Sequence, residues 1–187
     1  MGNDIVRIAE ALDYAAVKHV HQRRKGELAE PYLNHVTEVA RLIATATEGK
    51  DPNLVIAALL HDTMEDQGVG YDELCLRFGE DVANLVQEVT DDMSIPKPER
   101  KLLQQFNASL KSPRAKMLRI ADKTSNLHSL LNSPPKHWDM ERKREYFEWS
   151  RRVVEGCRGV NAALETVFDA AYQRRGELES FSLQRAA

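Results

Sequence analysis

The chain has little of what marks a specialised protein class. Of its 187 residues only two are cysteine, Cys75 and Cys157. They lie far apart and match no metal-ligand or redox spacing, so they read as core or surface thiols in a reducing compartment. Glycine and proline are sparse, at nine and seven residues, which argues against a fibrous or low-complexity chain. Positive charge is not in excess: 26 Lys and Arg face 29 Asp and Glu, a net charge of −3. A global basic field for nucleic acid or an anionic membrane is therefore absent, and a polyanionic ligand must be met by a local basic cluster. The longest purely apolar run, residues 54–60, is far too short to span a bilayer. The start, Met1-Gly2-Asn3-Asp4-Ile5-Val6, has no signal-peptide pattern and no Ser or Thr at the myristoylation position. A soluble cytoplasmic protein is expected, with no nucleic-acid or membrane partner. Its oligomeric state is not legible.

What is present is helical periodicity. Ile5, Ile8, Ala9, Leu12, Ala15 and Ala16 form one apolar stripe, followed by a polar, basic loop from His21 to Pro31. A second helix is expected over about 32–47, with Val36, Val39, Ala40 and Ile43 as its apolar face. A third covers 52–66, opened by Asp51 as N-cap and Pro52 at the first helical position. Shorter helices are expected at 71–78 and 80–90, another from the turn at 94–98 to about Leu110, and one from Pro113 to Leu131. Two more occupy about 139–155 and 159–175. No run alternates strictly enough for a sheet, and no linker or repeat appears. The expectation is all-α: one helical bundle of about eight to ten helices over residues 4–176, with a tail at 177–187.

The chemistry gathers at the end of the third helix. The apolar run 54–60 leads into His61-Asp62-Thr63-Met64-Glu65-Asp66. Helical spacing puts His61 and Glu65 one turn apart, and Asp62 and Asp66 likewise. Carboxylates crowded beside apolar surface repel and lose hydration, and a bound cation relieves both costs. His35, in the first turn of the second helix, and Asp122, inward on a later apolar helix, complete a His-His-Asp-Asp set. Two imidazoles and two carboxylates suit manganese, iron or zinc. Open positions for substrate require five or six coordination, which favours manganese or iron over closed tetrahedral zinc. His19, His21, His128 and His137 lack such company and read as surface or supporting residues.

These residues resemble the signature of the HD metal-dependent phosphohydrolases. Arg24-Lys25-Gly26, Pro31 to His35, Ala58 to Asp66, Val89-Thr90-Asp91-Asp92, Pro113 to Leu127 and Glu145 to Trp149 resemble the hydrolase domain of RelA/SpoT enzymes. The likeness runs from about residue 4 to 165, with no synthetase or regulatory extension, as in small stand-alone alarmone hydrolases. It implies removal of the 3′-pyrophosphate from guanosine 3′,5′-bis(diphosphate) (ppGpp) or its pentaphosphate relative, with manganese the usual metal. It implies His35, His61, Asp62 and Asp122 as metal ligands and Glu65 and Asp66 as the catalytic acidic pair. A metal-acidified water can attack phosphorus, and Glu65 can orient it or take its proton. Arg24 and Lys25 are implied at the phosphates. Asn126 is implied at the ribose and 3′-phosphate, and Arg142 and Tyr146 beside the 5′-phosphates and nucleoside. Tyr32 lines the pocket or staples its helix, and Lys97 is a further candidate.

The chain departs from relatives in two places: Met93 stands where Lys is common, and the segment from Ala121 to His128 differs. Where they often read Ala-Asp-Lys-Leu-Tyr-Asn-Leu-Arg, it has Ala121-Asp122-Lys123-Thr124-Ser125-Asn126-Leu127-His128. That change is expected to bear on base recognition. The alternatives are the same centre acting on an adenosine analogue or on the 2′-phosphate of NADPH, and a non-catalytic alarmone sensor.

Overall fold

Helices form where a capping residue precedes an amphipathic run, and the computed structural model, which describes residues 2–178, follows that rule. Ten α-helices run in order: α1 (Gly2–Lys18), α2 (Leu33–Ala46), α3 (Pro52–Leu60), α4 (Thr63–Gln67), α5 (Tyr71–Phe78), α6 (Glu80–Val89), α7 (Lys97–Asn107), α8 (Pro113–Asn132), α9 (Met140–Glu155) and α10 (Ala162–Gln173). No strand occurs among the described residues, although an isolated bridge pairs Arg23 with Pro31. The side chains of Asp51, Ser112, Asp139 and Asn161 accept from backbone N–H groups in the first turns of α3, α8, α9 and α10. Each satisfies a donor that the helix start leaves open. None of these helices is long and apolar enough to cross a membrane.

α3 is the axis of the bundle. Every residue from Leu54 to Leu60 is buried, as a helix apolar on all sides must be. α1, α2 and α6 pack around it, while α8 lies along α2 and is backed by α9 and α10. Leu178, expected in a tail, is 2% exposed within the core. The rest of that tail, 179–187, lies outside the described residues.

Two expectations change. The third helix does not run through to residue 66: it stops at Leu60, and α4 begins at Thr63. The His61 ring takes the Ala58 carbonyl and the Thr63 hydroxyl takes that of Leu60, so side chains occupy acceptors that a continuing helix needs. Glu65 and Asp66 consequently sit in the first turns of a new helix, not against the C-terminal dipole of an old one. In α1 the buried face holds Ala11, Tyr14 and Ala15, whereas Ile5 is 71% exposed and Leu12 38%. Tyr14 turns the helix this way, since its ring meets Phe78 edge-on and its hydroxyl donates to Glu73.

Candidate metal centre

The break after Leu60 aims His61 inward. Its Nδ1 lies 2.8 Å from the Ala58 carbonyl, which only accepts, so Nδ1 carries the proton and Nε2 faces the interior. His35, presented by the first turn of α2, is tethered through Nδ1 to the Ser125 hydroxyl at 2.9 Å. Its Nε2 lies 3.5 Å from Asp62 Oδ2 and 3.4 Å from Asp122 Oδ1. His61 Nε2 is 3.0 Å from Asp62 Oδ2 and 3.9 Å from Asp122 Oδ1. The four sequence candidates thus converge, from α2, the 61–62 turn and α8. His35, His61 and Asp62 offer atoms that all lie within 4.8 Å of one another. Asp122 faces both imidazoles, with Oδ1 also accepting from Asn126 and Oδ2 from the buried Lys123.

The donor set fits a divalent cation. His61 Nε2 is buried and has no aligned hydrogen-bond partner. Burial drives the His61 imidazole towards neutrality, yet Asp62 and Asp122 override it and push its pKa up to about 9. Burial likewise works to raise Asp62 and Asp122, but His61 on the first and Lys123 on the second hold both well below the usual carboxylate range. The cluster demands positive charge at the position the two Nε2 atoms face, and a metal ion meets that demand as a proton does.

Glu65 and Asp66 stand beside this cluster. Glu65 accepts from the Asp91 backbone N–H at 3.3 Å and lies 3.5 Å from the Arg100 guanidinium. Burial, then the Asp91 and Asp62 carboxylates, hold its pKa above the usual range, which suits a group that takes up protons. Asp66 accepts from Gln22 at 2.7 Å. Asp62 also accepts from Tyr32 at 2.6 Å, so that tyrosine touches the cluster itself.

Above these groups opens a cavity of about 770 Å³, lined by Arg24, Lys25, Tyr32, Glu65, Asp66, Asn126, Arg142 and Tyr146, all expected from the sequence. Arg24 donates to Asn126 at 2.9 Å, and the Arg142 guanidinium lies 4.5 Å from the Trp138 ring centre. Lys97 also lines the cavity. Sequence reasoning missed Arg100, Lys101, Lys123, Trp138 and Trp149 there. Lys101 and Lys123 lie over the Trp149 ring at 4.7 and 4.4 Å. A signal existed in the four-residue spacing of Lys97 with Lys101 on α7, and of Arg142 with Tyr146 on α9, which gives each pair one helix face, while Trp138 lies just before α9. Burial and the neighbouring Lys25, Arg142 and Arg100 lower the pKa of Lys97. Burial and then Lys97 and Lys123 lower that of Lys101. Cations crowded into mutual repulsion mark a cavity matched to a polyanion.

The loop carrying Arg24 and Lys25 is pinned at Gly26. A Cβ there would lie 2.2 Å from the Ser133 carbonyl oxygen and 2.5 Å from its hydroxyl. The Leu28 N–H also bonds the Ser133 hydroxyl, at 3.0 Å. Gly26→Ala is expected to cost about 1–3 kcal/mol of stability. It should also move the two cations off the rim, which a thermal melt and a substrate titration on the same variant will register together.

Thr124, Ser125 and His128 sit away from the larger cavity, which Met93 lines. Thr124 is buried and bonds the Ile120 carbonyl. Ser125 and His128 both bond Glu38 and line a second cavity of about 340 Å³. None of the three lines the larger cavity, so they do not form a base site there.

The chain is similar to known proteins over most of its length. The HD domain family matches residues 11–147. The chain is 44% identical over 176 residues to the guanosine-3′,5′-bis(diphosphate) 3′-pyrophosphohydrolase MESH1 of Xenopus tropicalis, covering 94% of this chain and 98% of that one. It is equally similar, over the same shares, to the protein of that name from Homo sapiens. A solved structure described as a metazoan ortholog of SpoT that hydrolyzes ppGpp superposes with a TM-score of 0.87 at 44% identity. That match covers 92% of this chain and 97% of the other.

Proposed function

The chain belongs to the HD domain family, and we propose that it hydrolyses the 3′-pyrophosphate of guanosine 3′,5′-bis(diphosphate) and its pentaphosphate relative, giving GDP or GTP and pyrophosphate. The observation that carries this reading is that a cavity lined by Glu65, Asp66 and a rim of cations is joined to the His-His-Asp-Asp cluster through Tyr32, bonded to Asp62, and Asn126, bonded to Asp122. The HD family implies a divalent metal, and His35, His61, Asp62 and Asp122 would hold it. A set of two imidazoles and two carboxylates suits manganese or iron, and manganese is the ion in this reading. A bound divalent ion supplies Lewis acidity and acidifies water. The hydrolase domain spans residues 4–176 in this reading, and a free nucleotide substrate puts the reaction in the cytoplasm.

The chain's own residues supply the rest. Water adds its oxygen to the 3′-linked phosphorus, the bond from that phosphorus to the ribose 3′-oxygen breaks, and the departing 3′-oxygen takes up a proton from solvent to become the hydroxyl of the product. Glu65 takes the water's proton at a carboxylate oxygen and is kept in place by the Asp91 N–H and Arg100. Asp66, held by Gln22, lies where it can share that work. Arg24 and Lys25 take the 3′-phosphates, with Asn126 between Arg24 and Asp122 fixing the ribose end. Arg142, Lys97 and Tyr146 meet the 5′-phosphates and nucleoside across the cavity. Arg24 is held by Asn126 and Arg142 by the Trp138 ring before substrate arrives, which limits the ordering cost of binding.

Lys25 is exposed on the rim, so its loss should spare the fold. Lys25→Ala removes one charge-assisted contact of about 1.5 kcal/mol, a rise of about tenfold in KM, with melting temperature unchanged. An unaltered KM takes Lys25 out of the site. The overall reading is tested by incubating metal-stripped protein with guanosine 3′,5′-bis(diphosphate), with and without manganese. Manganese-dependent GDP and pyrophosphate support it. Binding without turnover makes the protein a sensor, and neither result sends the search to other phosphorylated nucleotides.

A further inference from the structure

We infer that Glu38 and Ser125 are positioning residues that set the proton of His35, so that its Nε2 lone pair faces the metal position. The inference deepens the metal reading above and rests on it.

The geometry is a two-by-two patch across the α2–α8 contact. His35 and Glu38 are three residues apart on α2, and Ser125 and His128 three apart on α8. His35 Nδ1 lies 2.9 Å from Ser125 Oγ, and Ser125 Oγ lies 2.7 Å from Glu38 Oε2. His128 Nδ1 lies 2.8 Å from the other oxygen, Glu38 Oε1. A serine hydroxyl has one hydrogen, and a carboxylate has none to give. The hydroxyl hydrogen therefore goes to Glu38, and its lone pair faces His35. That bond requires a proton on His35 Nδ1 and leaves the lone pair on Nε2, the nitrogen 3.5 Å from Asp62 and 3.4 Å from Asp122. His61 reaches the same state by a different route, through the Ala58 carbonyl. His128 contributes by holding Glu38 from the far side. His35 and Ser125 are both buried, at 3% and 1% exposure, so water does not substitute freely for the link.

The partner of a ligating histidine typically changes metal affinity by about 10–100-fold. The test is titration of metal-free protein with Mn²⁺ alone, with free ion followed by electron paramagnetic resonance and the melting temperature of the metal-free form recorded alongside. Ser125→Ala is expected to weaken Mn²⁺ binding by about that factor. Glu38→Ala, at a half-exposed site, should weaken it less, because the freed hydroxyl then turns either way. The double variant should bind as Ser125→Ala does, since Glu38 reaches His35 only through Ser125. Wild-type affinity in Ser125→Ala, or losses that add in the double variant, overturn the inference. Should Ser125→Ala not fold, Glu38→Ala decides: weakened Mn²⁺ binding at an unchanged melting temperature supports the link, and unchanged binding removes it. Failure of the unsubstituted protein to bind Mn²⁺ would instead overturn the metal reading itself.

Discussion

Asp62→Ala is expected to leave less than about a thousandth of the wild-type turnover number and to lower the metal content of the purified protein. Asp62 Oδ2 is the oxygen shared by the cluster: it is 3.0 Å from His61 Nε2, 3.5 Å from His35 Nε2 and 2.6 Å from the Tyr32 hydroxyl. Alanine removes a candidate ligand and also half of the negative charge that draws a cation between the imidazoles. Added metal should rescue little, because the defect is in affinity and in charge together. The fold should survive, since Asp62 lies in a turn whose acceptors are taken by His61 and Thr63 and not by its own side chain. Metal analysis by mass spectrometry and product release on one preparation check both halves. Normal activity with normal metal content would remove Asp62 from the centre.

Glu65→Gln should separate chemistry from binding. Glutamine keeps the size of the side chain and can still accept from the Asp91 N–H, so the loop before α7 and the α4 turn stay in place. It cannot take a proton as a carboxylate does. The turnover number is expected to fall by about 10²–10⁴-fold, the usual worth of a positioned general base. KM and Mn²⁺ affinity should change little, because Glu65 is neither in the cluster of His35, His61 and Asp62 nor among the rim cations. A large KM increase with an unchanged turnover number would mean that Glu65 orients substrate, and Asp66 would then be the base.

Much of this was legible before any coordinates. His61-Asp62 directly after seven apolar residues is readable because burying such a run drags its polar terminus to the edge of the core. His35 and Asp122 are readable because each sits on the inward side of an otherwise apolar helix. Asp51 and Pro52 announced the start of α3 through a local hydrogen bond that needs no distant partner. The face that α1 buries was not legible, because Tyr14 gains more from Phe78 and Glu73, more than fifty residues on, than Ile5 and Leu12 gain from the core. The break at 61–62 escaped as well: His61, a metal candidate in the sequence, and Thr63 both compete for the carbonyls of α3.

By itself the sequence determined the helical class, the apolar axis and the placing of Glu65 and Asp66 close to His61 and Asp62, since each depends on residue type at short spacing. Only the tertiary structure decided which cations share a cavity and what stands behind His35. Lys101 and Arg100 on α7 meet Lys123 and Asn126 on α8 and Arg142 on α9, and Glu38 meets Ser125 across 87 residues of chain. Such pairings are set by how whole helices pack, and charges a few ångströms apart interact strongly whatever their separation along the chain.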